Sequence, residues 1–158
     1  MTRPIIAAAL VVAGIVLATG SIAQPQQTPE QQAQGAVDTR KSVVRLFAFN
    51  MGPINAMARG GAYDAAIVEQ NARRIAVLAP MLPEAFAAMD TREFATDTTA
   101  LPAVWDDMDA FAQRANDFAA AMTELADLAA SGDQAATIQA AGAVGRTHCG
   151  GCHQQYRE

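Results

Sequence analysis

The chain has 158 residues and a mass of 16.5 kDa, the length of one domain, and 51% of it is hydrophobic, enough for a sizeable core. Only 6% is aromatic and 17% charged, and the apolar excess is mostly alanine with leucine, valine and methionine, which disfavours a disordered chain, a sandwich and a barrel. Sixteen acids against eleven lysines and arginines give a net charge of −5 with no basic stripe, which argues against nucleic-acid binding.

The first element is a leader. Arg3 supplies a positive start, Ile5 to Ala18 is an apolar run shorter than the roughly 20 residues that span a bilayer, and Ser21-Ile22-Ala23 has a small-x-small pattern. This predicts a secretory signal peptide over residues 1–23, cleaved after Ala23, and a mature acidic domain over residues 24–158 without stable membrane insertion.

Thr28-Pro29-Glu30-Gln31 has the form of a capping box with proline at the first helical position, so a first helix starts there. Its apolar stripe is Val37, Val44, Phe47, Ala48, Met51 and Ile54, and Gly52-Pro53 kinks it near its end. Gly60-Gly61 breaks the chain, and Asp64 caps a second helix with Ile67, Val68, Asn71, Ala72, Ile75 and Leu78 inward. Pro80 and Pro83 stop it, and the stretch to Leu101 lacks a period but carries Leu82, Phe86 and Phe94, so it packs on the domain. From Pro102 a third helix runs through Val104, Met108, Phe111, Ala115, Phe118, Met122, Leu125 and Ala129, with Arg114 among the charges turned mainly away. After Ser131-Gly132, Asp133 caps a fourth helix reaching nearly to the C-terminus, with Ala141, Gly145, Cys149, Cys152 and Tyr156 on one face. The expectation is an all-α, antiparallel up-and-down four-helix bundle with room for a planar cofactor.

Cys149-Gly150-Gly151-Cys152-His153 holds the only two cysteines of an exported chain. C-x-x-C-H is the haem c attachment pattern: two thioether bonds to the haem vinyl groups, and the adjacent imidazole on iron. Steps of three and four put Cys149, Cys152 and His153 on one helical face, and the flanking glycines leave room for a flat cofactor. A thioredoxin-like site lacks its preceding strand, a zinc site would have only His148 to add, and a disulfide would staple a single turn and restrict little. The reading is one covalent haem c on Cys149 and Cys152, with His153 as metal ligand.

With the tail Cys152-His153-Gln154-Gln155-Tyr156-Arg157, the segment Arg40-Lys41-Ser42, the helix entry Ala62-Tyr63-Asp64-Ala65-Ala66 and Ala103-Val104-Trp105, the chain resembles the cytochrome c′ family of class II c-type cytochromes. That family is known for up-and-down four-helix bundles. The resemblance implies that the residue opposite the histidine stands four positions after Arg40, at Val44, where methionine would make a sixth ligand and valine makes none. It implies a pentacoordinate, high-spin iron with Phe47 also lining the open side. It further implies propionate contacts from Arg40 and Lys41, although the usual family residue at the second position is glutamine, and a cation near the proximal face from Arg157. The expected function is periplasmic electron transfer with a redox partner protein, or binding of nitric oxide or carbon monoxide, in a homodimer formed through the first two helices. The alternatives are a methionine-ligated low-spin carrier and a haem-free helical interaction protein with a disulfide. No Ser-His-Asp set or tuned acid pair suggests an enzyme.

Overall fold

In the computed structural model, residues 26–158 are described; the leader and its cleavage point lie outside them. Helix α1 runs Pro29–Ala58, and the capping box forms as expected: the Thr28 hydroxyl accepts from the Gln31 amide at 3.3 Å while the Gln31 side chain accepts from the Thr28 amide at 2.9 Å. The helix continues through Pro53 to Ala58. Gly60, at φ +96°, and Gly61, where a Cβ would stand 2.8 Å from the Ala56 carbonyl oxygen, make a turn that only glycine fits. Asp64 then caps α2 (Ala65–Leu78).

The stretch after Pro80 is more ordered than its pattern suggests. It forms a short helix α3 (Met81–Ala87), which delivers Phe86 to the interior. The third helix is also not continuous: α4 (Ala103–Asp106) ends at Asp107, whose non-helical backbone frees its carboxylate to cap α5 (Met108–Ala130) through the Ala110 amide at 2.9 Å. The fourth is interrupted as well. After α6 (Gln134–Val144) the backbone opens into a π-helical turn over Gly145–Gly150 and recovers as α7 (Gly151–Tyr156). Glycines at 142, 145, 150 and 151 weaken the α-helical preference there, and π turns of this kind frequently occur at functional sites.

The result is an all-α four-helix bundle. α1 packs on α2, α2 on α5, and α5 on α6, which returns against α1; α3 and α4 lie in the crossover between α2 and α5. Two register details differ from the sequence expectation. On α2 the buried stripe is Val68, Asn71, Ala72 and Ile75, and Ile67 faces out; on α1 Val43 is buried while Val44 and Ala48 are exposed.

The core falls into two separate clusters instead of one. The larger gathers Met51, Ile54, Ile75, Met122, Leu125 and Val144; the smaller gathers Phe86, Val104, Phe111 and Tyr156, with Cys152 packed against it. Among the described residues no helix is long and apolar enough to cross a membrane.

Candidate haem site

The interior is locally incomplete at one level of the bundle. Val37, Val44 and Met51 are spaced by seven, so each lies about 20° from the next around α1 and the three share one stripe. Val37 is 1% exposed and Met51 7%, yet Val44 between them is 42% exposed. An apolar side chain on the inward stripe is thus left with surface uncovered by the protein.

Aromatic rings place the same level beside the cysteine segment. Phe47, one turn from Val44, meets Phe118 of α5 edge-on at 5.6 Å, and Phe118 stacks on the His148 ring at 6.1 Å. His148 directly precedes Cys149, so α1, α5 and the π turn converge here. His148, passed over in the sequence except as a zinc ligand, is a wall residue of this region.

Cys149 and Cys152 are half-buried free thiols, not joined in a disulfide. Burial pushes both thiols above their ordinary range; at Cys152 the Arg114 guanidinium opposes that rise, and the neighbouring Cys149 adds to it. His153 is exposed on α7. The helix bearing it is held at its C-terminal end: Tyr156 packs its ring on Phe111 at 5.0 Å, and the chain end is clipped to the loop before α4 by Leu101 N–H to the Tyr156 carbonyl at 2.9 Å and Glu158 N–H to the Thr99 carbonyl at 3.0 Å. Arg157 leaves the helix in an extended bridge with Ala100, its side chain exposed.

The two cationic candidates on α1 both have protein partners. Arg40 is 4% exposed: its Nε donates to the Ala85 carbonyl at 3.1 Å, Nη1 to the Thr91 hydroxyl at 2.9 Å, and Nη2 to the Met89 carbonyl. Its plane also lies 4.7 Å from the Phe86 ring centre and 5.3 Å from that of Trp105. Lys41 pairs with the exposed Asp97 at 2.6 Å. Arg40 therefore ties α1 to α3 and the following loop, a role its sequence position did not reveal because its partners stand about fifty positions away.

The donor set fits a covalently held haem: two adjacent thiols, an accessible imidazole next to the second, glycines between them, and uncovered apolar and aromatic surface at the facing level. Together with the fold, these features define the class of a c-type haem protein built on a helical bundle.

The comparisons agree. Residues 35–157 match the family model described as Cytochrome C'. A cytochrome c-554 from Cereibacter sphaeroides is 32% identical over 130 residues, covering 81% of this chain and 96% of its own length. The crystal structure of cytochrome c′ from Rubrivivax gelatinosus superposes with a TM-score of 0.68 at 32% identity, covering 84% of this chain and 100% of the other. A nitrosyl complex of a cytochrome c′ variant from Alcaligenes xylosoxidans matches with a TM-score of 0.68 at 30% identity, over 80% of this chain and 96% of the other. The chain belongs to the cytochrome c′ family, whose members bind haem c.

Proposed function

We propose that this protein is a periplasmic haem c carrier in which Cys149 and Cys152 form the thioether links and His153 is the protein ligand of a five-coordinate, high-spin iron. Bound there, the haem supplies a one-electron ferric/ferrous couple and an open coordination position for nitric oxide or carbon monoxide. Val44 carries the proposal: it is inward by helical phase, 42% exposed, and has no donor atom with which to ligate a metal. Phe47 lines the same side. Met51, one heptad onward, is 7% exposed and packed in the larger core cluster, which argues against the methionine-ligated alternative.

Arg40 retains two N–H donors after its three hydrogen bonds, so it can also serve a haem carboxylate, with Lys41 exchanging from Asp97 to help. Arg157 adds positive charge on the histidine side. The nitrosyl complex of the Alcaligenes relative supports a gas-binding role, and the acidic surface suits brief docking with a basic redox partner protein.

The test is the visible spectrum of the exported protein, oxidised and reduced, with and without carbon monoxide, alongside its intact mass. A covalent haem mass and a high-spin spectrum that changes with the gas are expected. A low-spin spectrum indifferent to carbon monoxide overturns the open-site assignment, and a haem-free mass from a host competent in haem attachment overturns the proposal as a whole.

A further inference from the structure

We propose that Arg114 of α5 is the residue whose charge biases the haem iron toward its ferrous state, an assignment that rests on the haem reading above. By helical phase Arg114 belongs with the outward charges of α5, and the residue is exposed. Its guanidinium nevertheless turns onto the attachment motif. Nη1 stands 3.6 Å from the place a Cβ of Gly151 would occupy, between the two cysteines, and Nη2 donates to the Gln155 side chain at 3.2 Å, two residues beyond His153. The fork therefore lies across the segment that carries all three haem-binding residues.

Its charge is also unneutralised. Arg73 and Arg92 each bond to two carboxylates and Lys41 to one, whereas Arg114 meets a neutral amide and forms no salt bridge among the described residues. When the ferric iron accepts one electron from a one-electron donor protein, the centre loses one positive charge and no bond or proton need move. A fixed cation nearby repels the ferric form more than the ferrous form and favours reduction.

The experiment is a redox titration of the haem-loaded protein, with circular dichroism confirming the fold of each variant. Arg114→Gln is expected to lower the ferrous-to-ferric ratio at a fixed solution potential about threefold, roughly 30 mV given about 59 mV per tenfold for one electron. The shift is expected to shrink in molar salt, where screening is strong. Arg114→Lys is expected to keep most of the wild-type potential, and Arg74→Gln on α2, the same charge change on an exposed residue of another helix, to leave the potential in place. An unshifted Arg114→Gln protein overturns the assignment, as does an equal shift from Arg74→Gln or a failure of lysine to rescue. A wild-type chain without covalent haem would instead sink the underlying haem reading, an outcome separable by mass.

Discussion

Arg40 sits almost wholly buried on α1, with its guanidinium bonded to two carbonyls and a hydroxyl from other parts of the chain and faced by two aromatic rings. Removing it strands those buried acceptors, and each buried polar group left without a partner costs about 1–3 kcal/mol. Arg40→Met is therefore expected to lower unfolding free energy by about 3 kcal/mol in urea titration, with Arg40→Lys a poor substitute because an ammonium lacks the planar fork. Val44 gives a sharper functional readout. Val44→Met is expected to move the haem spectrum toward low spin and weaken the carbon monoxide response, while Val44→Ala keeps the high-spin form; an unchanged spectrum in folded Val44→Met protein would show that this residue does not face the iron. The segment proposed to hold the haem was legible at this scale because C-x-x-C-H is contiguous. The partners of Arg40 were not, since nothing local records what a side chain meets across the bundle.

Helix starts were the most legible features among the elements. Thr28, Asp64 and Asp133 all cap where their positions suggested, because a cap is a contact within three residues. Asp107 shows the limit. Apolar spacing runs unbroken through Val104, Met108 and Phe111, so the pattern reads as one helix, but Asp107 caps α5 and separates it from α4. Asp107→Ala is expected to cost about 1 kcal/mol, measurable as a lower urea midpoint. The π turn over Gly145–Gly150 was likewise hidden: glycines weaken a helix in the sequence, but their spacing does not say which hydrogen-bond pattern replaces it.

For the whole molecule, the bundle topology followed from four amphipathic segments, while the division of its core did not. Acid–base behaviour follows from that packing. Burial raises both cysteine thiols in the folded haem-free chain, so the folded state keeps protons that the unfolded chain releases. Their contribution to stability is fully present below the unfolded value, about pH 8.5, and is lost as pH rises toward the folded values. Urea midpoints of the reduced haem-free chain are expected to fall between pH 7 and 10, and less so in a Cys149→Ala, Cys152→Ala chain, where Tyr156, also raised by burial, contributes only later. At the surface, Leu46 and Phe49 of α1, with Ile67 and Val77 of α2, remain exposed, and Phe49 is 70% so. We propose the expected homodimer on this face; sedimentation should give a dimer for the native chain and a monomer for Phe49→Glu with Val77→Glu.

The sequence by itself determined the helical class, the caps at Thr28, Asp64 and Asp133, the acidic charge and the presence of the C-x-x-C-H segment, because each depends on composition or on residues a few positions apart. Only the tertiary structure decided that Val44 is uncovered while its heptad neighbours are buried, that Arg40 bridges to α3, and that Arg114 turns onto the cysteine segment. The two arginine outcomes depend on contacts across 41 to 51 positions of chain, where local spacing carries no information.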